Sequence, residues 1–531
     1  MKKSLTFASI IAMKSTMKLL NVKNPTARQF GFFFLLAFAV LFICSPDSYT
    51  HDLFDRMDSA WFYMCGKAWM NGLTPYVDFA DSKGPLLWLI YGIGYLLSPH
   101  SYVGVFWLSV LLYTGIFFCV FKTSTIFLKE RWQSYMVVAM MVCVYFSFWF
   151  HYETLSEDWA NGFVALAFYR MCLLMYTDRG RAPRSVYLTC FLLGLCLAAT
   201  LLIKFNITVM LGLVYCYVLF FLFREKLGIL TALLSFLAGC AAILLPLVAY
   251  MLVAGSLSAF IQEYFINTMQ TVSSSNGIAN YFREWLIMTY EARYAVLFAL
   301  SVIGALMMSR RVGRYKWFFL LSFLAFYALA IHNTSPKHCH YLAICLFFPI
   351  WFVIGLLSQP ALQRQSLWKK VVAVAFSYTL IANLLHWGFL VPNFFLHPNT
   401  EPRDSYYHAA YLMSQVDHPR VICYKTKEIG LGTAVESLPG TKYWAEQSGA
   451  SDEMMQSQAA AVLAGKADFI IAAESEINGN DSIVIAGGYH HVYDYEYGDD
   501  VYHLYTRHQL QEPPQSFSVS RLDVLLKRNV F

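Results

Sequence analysis

Charge is scarce in this sequence of 531 residues, since Asp, Glu, Lys and Arg together make up 14%. Soluble domains carry about a quarter. Hydrophobic residues reach 58%, and apolar runs recur near the roughly 20 residues that cross a bilayer as a helix. This balance excludes a soluble globular protein and predicts a polytopic membrane protein. The net charge of +6 therefore predicts no nucleic-acid partner, because Lys and Arg in such a protein report orientation.

A disulfide framework and a cysteine metal site are also missing. Most of the twelve cysteines lie inside apolar segments, and the C-terminal region contains only Cys423. No CxxC and no Cys/His pair has the spacing of a metal site. The cysteines are therefore interpreted as small buried apolar residues. Internal repeats and low-complexity tracts are absent from the sequence too.

Eleven membrane spans are predicted after a basic N-terminal segment, residues 1–29, which has six Lys or Arg and no acid. They are 30–44, 102–121, 135–150, 159–176, 186–203, 206–223, 229–253, 286–308, 317–332, 341–358 and 371–389. Together, residues 30–390 form the predicted transmembrane domain.

The segment Leu86–Leu97 is apolar but spans only about 18 Å as a helix, against a hydrocarbon core of about 30 Å. If it does not cross, five basic clusters face the cytoplasm: Lys122/Lys129/Arg131, Arg179/Arg181/Arg184, Arg224/Lys226, Arg310/Arg311/Arg314/Lys316 and Arg364/Lys369/Lys370. If it crossed, all of them would face outward, against the positive-inside rule. It is therefore predicted to lie along the membrane surface. The N-terminus is then cytoplasmic, and the outer face holds loops 46–101, 151–158, 254–285 and 333–340.

Residues 391–531 are more polar and predict a small soluble α/β domain on the outer face. Val421–Tyr424, Phe469–Ala472, Ile483–Ala486 and Val501–Thr506 are predicted as strands, and Glu453–Leu463 as a helix. The fold class is thus all-α in the membrane, with a C-terminal α/β domain.

The first outer loop, Asp58–Pro85, contains acids, a lysine and two turns. Asp58 begins a predicted helix that ends at Asn71-Gly72, so helix capping is one interpretation of this acid. Asp78 and Asp81 can be solvated turn residues, and Lys83 an interfacial anchor. The alternative is a site that carries chemistry.

A second acidic loop follows at 151–158 and ends in Glu157 and Asp158 beside an apolar span. Charge at that position is costly unless it faces a polar cavity. Two acidic groups on one face would suit deprotonation of an acceptor hydroxyl, binding of a divalent cation, or both. No cofactor is predicted with certainty.

Cations are few on the outer side: Lys204, Arg293, Lys337, His338 and His340. Each alone is interpreted as an interface anchor. Together they are the groups on this face that could hold a phosphate. Loop 254–285, with Gln262, Glu263 and the run Thr271–Gly277, is a candidate cover, and disorder is the alternative.

These residues resemble the GT-C membrane glycosyltransferases, which include protein mannosyltransferases and the aminoarabinose transferase of lipid A. The resemblance rests first on Asp58-x-x-x-Phe62, Gly66, Asn71-Gly72-x-x-Pro75-Tyr76-x-Asp78 and Asp81-x-Lys83-Gly84-Pro85. Leu155-Ser156-Glu157-Asp158, Gly194 with Lys204-x-Asn206, and His340-Tyr341 follow in the same order. Some relatives have Lys-Pro-Pro where this sequence has Lys83-Gly84-Pro85.

The resemblance implies transfer of a hexose or pentose from a polyprenyl-phosphate or polyprenyl-diphosphate carrier to a lipid, glycan or protein acceptor. It assigns Asp58 as general base or acceptor-positioning acid, Glu157 and Asp158 as the second acidic group, and Lys83 to the donor phosphate. Lys204, Arg293 and His340 are further candidates for the phosphate. Tyr76, Asp78 and Asp81 are candidates for the acceptor or a secondary role. A bacterial inner membrane, with the C-terminal domain in the periplasm, is the expected location.

Two other function classes remain open. A transporter or flippase for lipid-linked sugars would use the same carrier and cations, but transporters place charges near the bilayer midplane, often in repeated halves. A non-catalytic envelope assembly protein would not need Asp58.

Overall fold

The computed structural model describes residues 25–45, 47–48, 58–99, 101–145, 154–270, 283, 286–287, 292–332, 339–359, 366, 369–370, 404–446, 451–473, 482–497 and 500–512. The membrane part is helical throughout this described portion. Its helices begin, in chain order, with α1 (Pro25–Cys44), α2 (Asp58–Met70), α3 (Pro85–Leu97), α4 (Val103–Phe127), α5 (Arg131–Tyr145), α6 (Ser156–Tyr176), a short α7 (Asp178–Arg181), α8 (Pro183–Leu201), α9 (Phe205–Arg224) and α10 (Ile229–Val253).

The helical part continues with a short α11 (Leu257–Phe260), a π-helix (Ile261–Asn267), α12 (Ala292–Val312), α13 (Trp317–His332), a 3₁₀ helix (Cys339–Cys345) and α14 (Ile350–Leu357). Among the described residues, five helices are long and apolar enough to cross a membrane: α1, α4, α8, α9 and α10. The protein is therefore an integral membrane protein.

The predicted spans agree in position with helices, although the count of eleven stays a prediction. Ten of them fall on α1, α4 to α6, α8 to α10, α12, α13 and the segment from the 3₁₀ helix to α14. The predicted span 371–389 and the segment 1–24 lie outside the described residues. Glu157, Asp158 and Arg170 lower the hydropathy of α6, and α13 is short, with 16 residues. These two helices are therefore not among the five.

Helices α2 and α3 form a closely packed hairpin, and most side chains of α2 are buried. Gly66 makes this possible, because a Cβ there would lie 2.4 Å from the amide nitrogen of Gly92 on α3. Gly94 of α3 also lies against Gly104 of α4, because a Cβ added to Gly104 would lie 1.9 Å from the Gly94 carbonyl oxygen. Small residues at such crossings allow two helix backbones to approach each other. The hairpin is thereby fixed to the membrane helices.

The C-terminal domain contains a five-stranded mixed sheet. Its elements are α15 (Asp404–Ser414), β1 (Arg420–Cys423), α16 (Gly430–Ala434), β2 (Leu438–Pro439), α17 (Asp452–Leu463), β3 (Phe469–Ala473), α18 (Ser482–Ala486), β4 (His490–Tyr497) and β5 (Asp500–Thr506). The strand order is β2-β1-β3-β5-β4, with β1 parallel to β2 and β3, and β5 antiparallel to β3 and β4. α15 packs on one face, while α17 and α18 cover the other.

The prediction of a strand at Ile483–Ala486 is wrong, since these residues form helix α18. A run of four apolar residues is too short for its periodicity to separate a helix from a strand. The pair Gly487-Gly488 ends the helix, and Gly488 has a φ of +81°, a conformation typical of glycine after a helix. The other predicted strands and the helix at 453–463 coincide with β1, β3, β5 and α17.

The C-terminal domain is docked on the α2–α3 hairpin and the loop after α2. Lys67 of α2 donates hydrogen bonds to the carbonyls of Gly432 (2.8 Å) and Val435 (2.9 Å). The rings of Trp61 and Trp444 lie 5.1 Å apart. α2 is therefore held between the membrane helices and the C-terminal domain.

A second contact joins the domain to the π-helix. Glu263, 7% exposed, accepts hydrogen bonds from Lys442 (2.5 Å) and Tyr443 (2.8 Å). The backbone of Ala80 also donates to the Lys442 carbonyl at 3.1 Å. The described part of loop 254–285 thus connects the membrane helices to the domain, and its predicted mobile run, Thr271–Gly277, lies outside the described residues.

Candidate active site

Two lysines are brought together by a backbone contact between the first outer loop and the turn before α9. The amide of Gly84 donates to the Ile203 carbonyl (3.0 Å), and the amide of Leu86 donates to the Leu202 carbonyl (2.9 Å). A Cβ on Gly84 would lie 2.1 Å from the Leu202 carbonyl oxygen, so only glycine fits. Lys83 precedes this contact on one side, and Lys204 follows it on the other.

Lys83 lies among acidic groups. Burial alone would lower the pKa of its ammonium, but the nearby charge of Asp81, followed by those of Asp58, Tyr341 and Glu157, raises that pKa above its usual value. The ammonium also lies 5.9 Å from the centre of the Phe62 ring. Lys83 therefore stays protonated, and the two acidic loops, distant in sequence, meet around it.

Lys204 forms an ion pair with Glu157 of α6. The two side chains are 12% and 4% exposed. Ser156 also donates to the second oxygen of Glu157 at 2.8 Å. The Lys204 ammonium lies 4.0 Å from the centre of the Tyr341 ring, a cation–π contact. Glu157 is thus a buried carboxylate paired with Lys204, and its charge also acts on Lys83.

Asp158 stabilises the start of α6. Its carboxylate accepts hydrogen bonds from the Leu155 amide and from the Tyr113 hydroxyl, each at 2.8 Å, and it is fully buried. A carboxylate in the first helical turn that binds the preceding amide is the capping arrangement. The geometry gives Asp158 a structural position and leaves Glu157 as the acid of this loop that faces the lysines.

Asp58 is the first residue of α2 and is half-buried. Helix capping and contact with a substrate are compatible at this position, because the first turn of a helix favours a negative charge. Its charge reaches Lys83, since it contributes to the raised pKa of that lysine. Asp58 therefore belongs to the same cluster as Lys83, Lys204, Glu157 and Tyr341.

Tyr76 and Asp78 shape the loop that carries Lys83. The hydroxyl of Tyr76, a buried residue with a φ of +66°, donates to the Lys83 carbonyl at 2.8 Å. Asp78 accepts from the Thr74 amide at 2.7 Å and closes the turn. Asp81 accepts from the Ser82 amide at 2.6 Å. Tyr76 and Asp78 thus hold the loop, while Asp81 adds negative charge near Lys83.

Two predicted phosphate ligands cannot be placed in the cluster. Arg293 is in the first turn of α12 and His340 in the 3₁₀ helix, but their side chains lie outside the described residues. Lys337 and His338 also lie outside them.

Three residues were not predicted in the positions that the structure gives them: Tyr341 in the cluster, and Glu263 and Lys67 in the docking of the C-terminal domain. Tyr341 had a signal in the His340-Tyr341 pair, and Glu263 was noted only as part of a cover. Lys67 had none, because a lysine between Gly66 and Ala68 gives no sequence indication that it will be buried. Its burial follows from the docking of a domain that begins more than 300 residues later.

The cluster provides two ammonium groups for an anion, and carboxylates that can accept a proton. Lys83 and Lys204 carry the positive charges of the cluster, and Asp58 and Glu157 carry negative ones. This combination suits a reaction with a phosphate leaving group and a hydroxyl nucleophile.

Comparison with known proteins yields matches in structure. No family model and no curated protein sequence matches this chain. The structure resembles ArnT from Cupriavidus metallidurans bound to undecaprenyl phosphate, with a TM-score of 0.56, 13% identity, and coverage of 89% of this chain and 97% of that chain. The apo form of that ArnT gives a TM-score of 0.53 at 12% identity and the same coverage.

An oligosaccharyltransferase from Archaeoglobus fulgidus, in complex with Zn and sulfate, is also similar. It gives a TM-score of 0.45 and 11% identity, with 87% of this chain and 72% of that chain covered. The resemblance to the lipid A aminoarabinose transferase is confirmed as a likeness of fold. The chain has the polytopic GT-C fold.

Proposed function

We propose that this protein is an integral-membrane glycosyltransferase that moves a sugar from a polyprenyl-phosphate or polyprenyl-diphosphate carrier to an acceptor hydroxyl. The observation that carries the proposal is the meeting of Asp58, Lys83, Glu157 and Lys204 in one cluster. The fold supports it, because the ArnT that it resembles binds undecaprenyl phosphate. The sugar is a hexose or a pentose, and the acceptor a lipid, glycan or protein.

The proposed chemistry is a single displacement. The acceptor oxygen forms a bond to the anomeric carbon of the sugar while Asp58 accepts the hydroxyl proton. The bond from that carbon to the phosphate oxygen breaks, and its electron pair leaves with the carrier phosphate. Lys83 and Lys204 stabilise the charge on that phosphate, so most of the catalysis comes from positioning and electrostatics.

Glu157 positions the ammonium of Lys204 through their ion pair in this scheme. When a donor phosphate binds, it replaces part of the contact between Lys204 and Glu157, and Glu157 remains able to orient the ammonium. Asp158 keeps α6 in place, and Arg293 and His340 are further phosphate ligands in the proposal. If a divalent cation takes part, the carboxylates of Asp58 and Glu157 would hold it and it would supply further positive charge for the phosphate; loss of transfer on chelation would identify it.

The site faces outward in this proposal, with the N-terminus in the cytoplasm and the C-terminal domain in the periplasm of a bacterial inner membrane. The asymmetric distribution of Lys and Arg supports this orientation. A cysteine at Ser82, an exposed loop position, is expected to react with an impermeant maleimide in spheroplasts, and a cysteine at the exposed Lys129 only after lysis. The opposite labelling pattern would invert the topology.

The test of function is Asp58→Asn in membranes supplied with polyprenyl-linked sugars. Transfer to acceptor is expected to fall on the order of 100-fold or more, because proton acceptance contributes factors of that size. Asp78→Asn is the matched control, since its amide can still accept from the Thr74 amide. Full transfer by a folded Asp58→Asn protein would disprove the role of Asp58.

The transporter alternative is separated by the fate of the sugar–phosphate bond. A glycosyltransferase in proteoliposomes releases free carrier phosphate and glycosylated acceptor. A flippase moves the intact lipid-linked sugar between leaflets without cleaving that bond. Movement of intact donor with no carrier phosphate released would favour the flippase.

A further inference from the structure

Three metal-binding side chains lie together at the edge of the C-terminal sheet, far in sequence from the membrane cluster. They are His491 and Asp494 on the edge strand β4, and His503 on its neighbour β5. Asp494 is directly opposite His503 in the antiparallel register. None of these residues has a part in the proposed transfer reaction.

A β-bulge brings the third residue to the same face. The register shifts between His491 and Tyr493, so that His491 pairs with Tyr505 while Tyr493 pairs with Leu504. In a regular strand, residues three apart point to opposite faces. The extra residue, Val492, reverses the alternation, and His491 therefore shares a face with Asp494 and His503. Bulges often redirect a side chain in this way.

The ligand atoms already converge. Nε2 of His491 and Nδ1 of His503 each lie 2.5 Å from Oδ1 of Asp494. One atom from each residue lies within 4.8 Å of the other two.

Other His–carboxylate contacts in the domain differ from this cluster. His508 contacts Asp468 at 2.7 Å, and His408 contacts Glu512 at 3.0 Å. Each of these is a single pair, which a hydrogen bond explains. In the cluster, two imidazoles share one carboxylate oxygen.

We propose that His491, Asp494 and His503 bind a divalent transition metal of the zinc class. Two imidazoles and a carboxylate are a donor set that zinc accepts, and a water or an external ligand would complete a tetrahedral site. The side chains of His491 and Asp494 are 44% and 50% exposed, so an ion can enter from solvent. The bound metal links the edge strand β4 to β5.

The test uses the full-length protein in detergent, without a polyhistidine tag and stripped of metal by a chelator. Co²⁺ is titrated and its visible absorption recorded, followed by displacement with Zn²⁺. One saturable site with the intense absorption of tetrahedral cobalt is expected. His491→Asn is expected to weaken binding by at least tenfold, and Asp494→Asn to do the same.

His508→Asn is the matched control, because it removes a histidine from the same domain but not from the cluster. It is expected to bind cobalt as the unchanged protein does. Equal cobalt binding by His491→Asn and the unchanged protein, or an equal loss in His508→Asn, would overturn the site. Far-UV circular dichroism of the metal-free variants controls for folding, and His491, being exposed, is the substitution least able to disturb it.

Discussion

At the scale of single residues, charge in the proposed active site is almost entirely paired. Lys204 and Glu157 neutralise each other with little exposure to solvent, and Lys83 lies among Asp58, Asp81 and Glu157. Such groups are stable in a buried place only as long as their partners are present. The pairing therefore serves stability, and the proposed phosphate of the donor competes for the same ammonium groups.

A double-mutant cycle tests this pairing. Lys204→Met is expected to destabilise the protein by about 3 kcal/mol, because Glu157 is left buried without its counter-ion. The double variant Lys204→Met/Glu157→Gln is expected to recover part of that loss. Thermal or chemical denaturation in detergent measures all four proteins, and additive effects of the two substitutions would show that the pair is not coupled.

The residues of the site differ in how far the sequence predicts them. Asp58, Lys83, Glu157 and Lys204 could be proposed because they are charges near the ends of apolar segments and stand in motifs that resemble those of the GT-C membrane glycosyltransferases. Asp158 could not be distinguished from Glu157, since the choice depends on which carboxylate meets Tyr113 and the Leu155 amide. Lys67 could not be found at all, because its partners are two backbone carbonyls.

At the scale of elements, one glycine permits the close approach of the two backbone segments that carry Lys83 and Lys204. Gly84 lets the first outer loop run against the backbone of Leu202 and Ile203. The contact is a geometric condition for Lys83 and Lys204 to act on one phosphate.

Gly84→Ala is expected to lower transfer on the order of 100-fold, because the added Cβ meets the Leu202 carbonyl at 2.1 Å and displaces Lys83. Gly212→Ala is the control, since nothing lies within 4 Å of a Cβ at that position in α9. Both proteins are assayed with the same donor, after their folding has been compared by gel filtration. Normal transfer by Gly84→Ala would mean that this approach is not needed.

Secondary structure was most predictable where apolar runs are long. Helices α4, α9 and α10 follow directly from such runs, whereas the four residues of α18 gave the wrong element. Strand β4 was not predicted, although Tyr493–Tyr497 alternates between aromatic and acidic residues as a strand does, and its bulge at Val492 has no signal in the alternation. An alternating sequence pattern therefore does not indicate that His491 shares a face with Asp494 and His503.

At the scale of the whole molecule, the C-terminal domain is part of the proposed catalytic structure. It contacts α2 through Lys67 and Trp61, the first outer loop through Ala80, and the π-helix through Glu263. The presence of a more polar C-terminal domain is predictable from composition, but its docking is not, because no local pattern encodes contacts across such sequence distances.

Docking is expected to depend on pH through Lys67. Burial lowers the pKa of Lys67 to about 7, although Glu436 opposes the shift. Since this folded-state pKa lies below that of an exposed lysine, stability is greatest at high pH and falls as pH decreases toward about 7. The loss amounts to about 1.4 kcal/mol per pH unit and levels off below pH 7.

The measurement compares melting temperatures at pH 7, 8 and 9 in the unchanged protein and in Lys67→Met. The unchanged protein is expected to gain stability relative to the variant as pH rises. Lys442→Met is the control, because it also removes a docking lysine, but a half-exposed one paired with a carboxylate. If the melting temperatures of the unchanged protein and of Lys67→Met change with pH in parallel, Lys67 does not titrate in this range.

The clamped position of α2 also has a consequence for the order of events during synthesis. Lys67 is separated from Gly432 by 365 residues, which a ribosome takes roughly 20–70 s to translate at about 5–20 residues per second. During that interval, α2 lies beside the membrane helices while the surface that later contacts the C-terminal domain is still exposed. The helix that carries Asp58 thus reaches its final environment only when the last quarter of the chain has emerged, so an incomplete chain would acquire its membrane helices before it acquired a finished site.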